Sequence, residues 1–403
     1  MCQSKLTDQK SFEKKFSLAE FFNAHWENYV KKPTKFITKE QFKAVNAIRL
    51  CRTSKLGKDI YACKECGSTV EIYHSCKNRF CPNCSWTDTL KWADRVYKKL
   101  MNVPHRHVVV TLPHDLNKII VQNKKFCYDT LMSVASNLVK EYIIKEHDAI
   151  PGVISVLHTF GEKKNLHFHV HMIVSWGGLD KNKKQLKTIA DNQFVDYLKL
   201  KETFRIRYIN ALIKHYKENK LETDFIDQSD FLKFTNKLQE KNWIIHFEPP
   251  MNMPEQIIRY IGRYSKRACL SEYKITNIEG EFISFKYKDY KEKDINDKPM
   301  QKILTLHYRD FFPLLLQHVP LPKFRIVRYY GAYNTKSKLD SAFTEKSQNL
   351  DNGQKIIEFN DTKKCSQCNG SMQYIESMAS TGSVQWFIYK KIELSRRVKK
   401  IAA

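Results

Sequence analysis

Residues 167–171 read His-Phe-His-Val-His, inside the apolar run Leu166 to Val174. On a β-strand successive side chains point to opposite faces, so His167, His169 and His171 share one face while Phe168 and Val170 share the other. Three imidazoles on one face of a buried strand are costly to leave without partners, and a divalent metal is their natural occupant. The strand is therefore expected at the centre of a sheet, apolar on one side and ligand-bearing on the other. The same alternation excludes the helical zinc-protease motif, which needs histidines four apart with a glutamate between them. Val153 to Phe160 reads as a preceding strand, and Gly161 to Asn165 as the turn between the two. A tight turn would bring His158 across the hairpin close to His167, which makes His158 a further ligand candidate.

A second constraint comes from the cysteines. Eleven occur, an odd number, and seven lie in or beside C-x-x-C pairs rather than spread as a disulfide framework would be. That usage points to metal binding in a reducing compartment. Cys63 and Cys66 form one pair, and Cys81 and Cys84 another, at the spacing of a four-thiolate structural zinc site. Zinc joining two such knuckles replaces a core too small to fold alone. Cys76 and His74 lie between the pairs. Either can stand in for one of the four ligands, and Cys76 can equally be a free thiol. Lys77 and Arg79, in the same loop, would face phosphate if the module touches DNA. A further pair, Cys365 and Cys368, has no partner pair nearby in the sequence and stays unassigned.

Around these motifs the periodicity is legible. Phe16, Leu18, Phe21, Phe22 and Trp26 fit the buried face of an amphipathic helix capped by Ser17, and Thr38 to Leu50 fits a second helix. A helix is expected from Thr87 to Met101, a buried strand from His107 to Leu112 ended by Pro113, and a helix over 119–147. Residues 180–240 read as mostly helical, Trp243 to Glu248 as a strand, 273–290 as a hairpin turning at Glu279 and Gly280, and 303–318 as helical. The composition turns polar from Leu339 to Asn360, the best linker in the chain. Three regions result: a helical and zinc-binding part at 1–100, a catalytic domain at 101–335, and a polar linker and tail at 336–403.

A helix is also expected from Pro254, where Pro and Glu suit a first turn. It carries Tyr260 and Tyr264, four apart and so on one face, each followed three residues later by an arginine, Arg263 and Arg267. Tyrosine is a poor nucleophile at its ordinary pKa near 10. Adjacent guanidinium groups and a metal-polarised phosphate would help it attack and form a phosphotyrosine.

The net charge is +26, from 69 basic and 43 acidic residues. A surplus of that size draws polyanions, and nucleic acid is the commonest of them. No apolar run reaches the roughly 20 residues of a membrane span, and the charged N-terminus lacks the apolar core of a signal peptide. A cytoplasmic, nucleoid-associated protein with DNA and no membrane as partner is expected.

Taken together, the segments SCKNRFCPNC, HVVVTLPHDL, SVLHTFGEKKNLHFHVHMIV, EQIIRYIGRYSKRACLSEYKI and LPKFRIVRYYG resemble successive blocks of the two-tyrosine HUH transposases of the insertion-sequence 91 class, from about residue 50 to about residue 335. The resemblance implies an α+β fold: a central antiparallel sheet flanked by helices, HUH nuclease-like, preceded by a small zinc-binding module. It also implies that His169 and His171 are the metal pair and that Tyr260 and Tyr264 are the nucleophiles. Mg or Mn is implied at the histidines and Zn at the cysteines. The implied substrate is single-stranded DNA, at transposon ends and target, cut and rejoined through 5′-phosphotyrosine in rolling-circle-like transposition. It leaves the third ligand open between His158 and His167. This chain has Phe168 where the family often has proline, and it lacks a glycine usual after Lys323; neither departure touches a proposed catalytic group. A replication initiator or relaxase would share the histidines and tyrosines, but no G-x-x-x-x-G-K-[ST] phosphate loop of a helicase occurs. A non-enzymatic zinc-containing DNA-binding protein would leave the histidine strand and the tyrosine pair unexplained.

Overall fold

Alternation builds the centre of the molecule. The computed structural model describes residues 16–97, 99–182, 184–193, 195–251, 268–334, 343–344 and 364–378. Its main sheet has five antiparallel strands in the order β12 (Val327–Gly331), β4 (Gly152–Phe160), β5 (Leu166–Ser175), β3 (His105–Thr111) and β8 (Ile244–Phe247). The histidine strand β5 is the middle one, as its two-faced pattern requires.

One face of this sheet is mostly apolar, with Ser155 on it hydrogen-bonded to Ser136. Val108, Val110, Phe168, Val170, Met172 and Val174 are at most 1% exposed, and they pack on α5 (Lys124–His147) and α6 (Tyr197–Lys217). The helix α5 has apolar residues on all sides because it lies between the sheet and α6; Leu131, Met132, Ala135 and Val139 are fully buried in it. Phe204, Tyr208 and Trp243 extend the same core. The opposite face carries the histidines. Its lower end is covered by α3 (Pro82–Tyr97), whose Trp92 and Val96 pack with Ile154 and Ile173.

A second core joins distant parts of the chain. Leu18, Phe21, Phe22, Trp26 and Tyr29 of α1 (Leu18–Lys31) pack with α2 (Lys39–Leu50) and with Phe311 and Phe312 of α8 (Tyr308–Leu316). The Phe22 and Phe312 rings stack at 4.8 Å. Ser17 caps α1 by accepting from the Ala19 amide, and Thr38 with Gln41 forms a capping box on α2. A three-stranded sheet, β9 (Ile275–Glu279), β10 (Phe282–Lys293) and β11 (Pro299–His307), lays Ile283 and Phe285 into this core.

Three expectations shift. The helix expected from Thr87 starts at Pro82, where the fixed φ of proline suits a first helical position. Residues 299–307 are a strand, with Leu304 and Leu306 turned to the core and Ile303 outward, a period of two; the helix begins only at Tyr308, capped by His307. The region 180–240 holds a small hairpin, β6 (Gly177–Leu179) with β7 (Leu186–Thr188), before α6 and α7 (Gln228–Gln239). A third small sheet, in the order β13 (Met372–Met378), β1 (Lys58–Cys63), β2 (Thr69–Tyr73), brings the tail to the N-terminal cysteines. Among the described residues no helix is long and apolar enough to cross a membrane.

Candidate functional site

Register decides which histidines meet. Continued from the Phe160–Leu166 pair, a regular ladder would set His158 opposite Phe168, on the apolar face. A bulge between His158 and Phe160 shifts the register by one, so His158 pairs with His169 instead of lying beside His167. Paired residues of an antiparallel ladder share a face, so His158 joins His169 and His171. The ring centroids are 5.3 Å apart for His158 and His169, 4.6 Å for His158 and His171, and 4.8 Å for His169 and His171. One nitrogen from each of the three lies within 4.8 Å of the others. Ligands about 2.1 Å from one ion sit roughly 3–4 Å apart, so a small closure suffices to hold a cation.

His167 lies outside this group. Its ring sits between those of His169 at 4.9 Å and His114 at 5.3 Å. Its backbone carbonyl accepts a hydrogen bond from His169 Nδ1 at 3.0 Å. A carbonyl can only accept, so Nδ1 of His169 carries the proton and Nε2 is left bare for a metal.

His107, on β3, is a residue that sequence reasoning passed over. It is 3% exposed, and its Nε2 lies 2.9 Å from Nδ1 of His171. Its own Nδ1 lies 4.0 Å from a carboxylate oxygen of Glu248, at the end of β8. Burial, with His246 and His158 nearby, pushes the His107 pKa down to about 3, so the ring is neutral, with one donor and one acceptor. Metal binding through His171 Nε2 requires His171 Nδ1–H to donate to His107 Nε2, which leaves the His107 Nδ1–H on the side of Glu248. Partners of this kind orient metal-binding imidazoles. The available signal was a second alternation, His105 and His107, at the start of the strand expected from His107.

Burial also holds His169 and His171 well below the ordinary imidazole pKa, and lowers that of His167. Neutral imidazole is the metal-binding form. The donor set therefore fits a divalent ion. Beside His158 a cavity is lined by Arg79, Lys124, Thr159, Cys269 and His318. Arg79 is exposed and donates to the Phe324 carbonyl at 3.2 Å; Lys77 is exposed in the same loop.

Tyr260, Tyr264, Arg263 and Arg267 lie outside the described residues. The residues flanking that segment are placed. Met251 bonds His105 through both backbone groups and packs against the α3-covered end of the histidine face. The Ala268 amide donates to Ser85 Oγ on α3, and Cys269 lines the cavity beside His158.

The cysteines divide differently from their spacing. Cys63 and Cys66 do not meet Cys81 and Cys84. Cys51, Cys76, Cys81 and Cys84 form one cluster, with Sγ of Cys84 3.5 Å from both Cys51 and Cys76. Cys76, left open between ligand and free thiol, is in the set. Cys51, which ends α2, was not foreseen because it stands alone in the sequence. His74 is occupied elsewhere, bonded to the Leu56 carbonyl and to Asp59. Cys63 and Cys66 meet the tail pair Cys365 and Cys368 instead. The split follows from geometry: Cys63 and Cys66 sit on a hairpin knuckle after β1, while Cys81 and Cys84 ride on the start of α3.

Comparisons with known proteins point to a family of transposases. Residues 152–340 match a family described as "Putative transposase", and residues 21–112 match a "Transposase zinc-binding domain" of the insertion-sequence 91 type. The first match contains His158, His169 and His171; the second contains Cys51, Cys63, Cys66, Cys76, Cys81 and Cys84. A protein named "Putative transposase y4qJ" from Sinorhizobium fredii is 29% identical over 321 residues, 78% of this chain and 79% of that one. The "Transposase for insertion sequence element IS801" of Pseudomonas savastanoi pv. phaseolicola is 26% identical over 302 residues, 72% of this chain and 70% of that one. No solved structure matches the chain. With its zinc-type cysteine cluster, its histidine-bearing five-stranded sheet and these two matches, the chain belongs to the insertion-sequence 91 family of transposases and has that family's N-terminal zinc-binding domain.

Proposed function

We propose that the protein nicks and rejoins single-stranded DNA at transposon ends, in a rolling-circle-like transposition, with Tyr260 and Tyr264 as nucleophiles. The observation that carries this reading is the convergence of His158, His169 and His171, all on one face of the central sheet. A bound divalent ion there would polarise the scissile phosphate. Three imidazoles without a carboxylate suit Mn better than Mg, which prefers oxygen ligands.

The chemistry assigned to the chain's own groups is as follows. A tyrosine Oη loses its proton and attacks phosphorus, and the bond to the 3′ oxygen breaks. That oxygen takes up a proton and leaves as a free 3′-hydroxyl, and the 5′ end stays on the enzyme as phosphotyrosine. Attack by a 3′-hydroxyl reverses the step and rejoins the strand. Two tyrosines allow one to hold an end while the other cuts, and Arg263 and Arg267 would neutralise phosphate charge beside them. The placement of Met251 and Ala268 at the histidine face supports bringing the intervening tyrosines to it. Arg79 and Lys124 beside His158, with Lys77 close by in sequence, would bind the strand's phosphates. Such a protein would work on DNA in the cytoplasm, at the nucleoid.

The test is covalent trapping. Protein, Mn and labelled single-stranded DNA from the element's ends are combined and run on a denaturing gel. A labelled band at protein mass is expected, absent from the Tyr260→Phe/Tyr264→Phe double variant and from His169→Ala. A band that persists in the double variant would remove the tyrosines from the mechanism.

A further inference from the structure

The tail cysteines, which no family match reaches, build a second site. Cys63 Sγ lies 3.3 Å from Cys368 Sγ, and Cys66 Sγ lies 3.6 Å from Cys365 Sγ. These separations are far beyond the roughly 2.05 Å of a disulfide and close to the roughly 3.8 Å edge of a tetrahedral zinc–thiolate site.

The two pairs sit on matching knuckles. In the first, the Cys63 amide donates to the Ser68 carbonyl, and the Gly67 amide donates back to the Cys63 carbonyl. In the second, the Cys365 amide donates to the Gly370 carbonyl, and the Asn369 amide donates back to the Cys365 carbonyl. The residue after each second cysteine is left-handed, Gly67 at φ 73° and Asn369 at φ 60°. Glycine and asparagine are the residues that adopt this conformation most easily. Cys63-Lys-Glu-Cys-Gly-Ser and Cys365-Ser-Gln-Cys-Asn-Gly are thus one structural unit used twice, 302 positions apart (365 minus 63). The Lys64 amide also donates to the Ser371 carbonyl, which docks one knuckle on the other.

Little else holds the tail strand. It pairs with β1 from Lys58–Met378 to Cys63–Met372, but most of its side chains face solvent: Tyr374 is 49% exposed and Ile375 54%. Across the pair the rings of Tyr61 and Tyr374 meet edge to face at 5.7 Å. An edge strand with so little buried surface needs another source of stability, and four thiolates around one ion supply it.

We propose that Cys63, Cys66, Cys365 and Cys368 bind a second structural zinc, separate from the one at Cys51, Cys76, Cys81 and Cys84, and that this ion fastens the C-terminal strand to the N-terminal module. The proposal is independent of the nicking chemistry. Binding releases the thiol protons to solvent and involves no electron transfer.

The full-length protein tests it with two readouts. Zinc released by a mercurial reagent comes from thiolate sites, and two equivalents per chain are expected. The Cys365→Ser/Cys368→Ser variant should release one, and Cys81→Ser/Cys84→Ser should also release one if it folds. Hydrogen exchange should rise in residues 372–378 and along β1 of the tail variant, with β3, β4 and β5 unchanged. A tail variant that keeps both equivalents would overturn the site. Loss of one equivalent with unchanged exchange in the tail strand would overturn the fastening.

Discussion

His107 offers a sharp test of how the histidine centre is held. It touches no proposed substrate atom, yet its Nε2 lies 2.9 Å from Nδ1 of His171, which is itself only 8% exposed. Replacing it with alanine removes the acceptor and leaves a buried imidazole N–H without that partner, a loss of roughly 1–3 kcal/mol. Partners of metal-binding histidines typically contribute about 10–100-fold in affinity, which is about 1.4–2.7 kcal/mol and falls in the same range. The expected outcome for His107→Ala is a Mn dissociation constant raised about 10- to 100-fold, with the nicking rate recovered at saturating Mn. His107→Gln places an amide oxygen near the Nε2 position and should recover most of the affinity. The assay is calorimetric Mn titration of zinc-loaded protein, followed by nicking rates at limiting and saturating Mn. If His107 is instead a direct ligand, alanine will match His169→Ala and excess Mn will not restore the rate. An unchanged Mn affinity in the alanine variant would refute the positioning role altogether.

Three more outcomes follow from particular side chains. Phe168→Ala opens a cavity against α5 and should cost about 3–5 kcal/mol in urea unfolding; a loss under 1 kcal/mol would show that the apolar face is not packed as described. Lys77→Ala and Arg79→Ala should each lower the slope of log affinity for single-stranded DNA against log salt by about 0.7; unchanged slopes would take that loop out of the DNA interface. His318 is buried between Thr159 and the Lys164 carbonyl, and burial lowers its pKa to about 4. The unfolded chain then binds the proton first, so its contribution is complete above about pH 6.5 and is lost as pH falls toward 4, by roughly 2 kcal/mol at pH 5. The stability gap between wild type and His318→Gln should accordingly narrow between pH 7 and pH 5 in thermal unfolding, and a constant gap would contradict a neutral buried His318.

The central sheet was legible because its strands declare both faces. Phe168 and Val170 against His169 and His171 is a period-two pattern that no other element fits, and the aromatic face of α1 is equally plain. What escaped prediction depended on register or on distance. His158 was already a ligand candidate, but its pairing with His169 rather than beside His167 depends on a one-residue bulge that leaves no mark in the composition. His107 depended on which strand would lie beside β5. Residues 303–307 read as helix because the apolar run Phe311 to Leu316 just beyond them is truly helical, and the alternation of Leu304 and Leu306 is too short to stand out.

The cysteines carry the instructive case. Spacing alone grouped Cys63 and Cys66 with Cys81 and Cys84, since two C-x-x-C pairs about 15 residues apart are a usual frame of a zinc site. The residues after each pair distinguish them. Gly67 and Asn369 permit the left-handed turn of a hairpin knuckle, whereas Pro82, inside the other pair, commits its cysteines to the start of a helix. A knuckle seeks a second knuckle, and the only other C-x-x-C pair in the chain that ends in such a residue is the tail's. Two saturated four-thiolate clusters are closed sites, suited to holding structure. Three imidazoles on a sheet face leave coordination positions for phosphate oxygens, which is the property the proposed strand transfer requires.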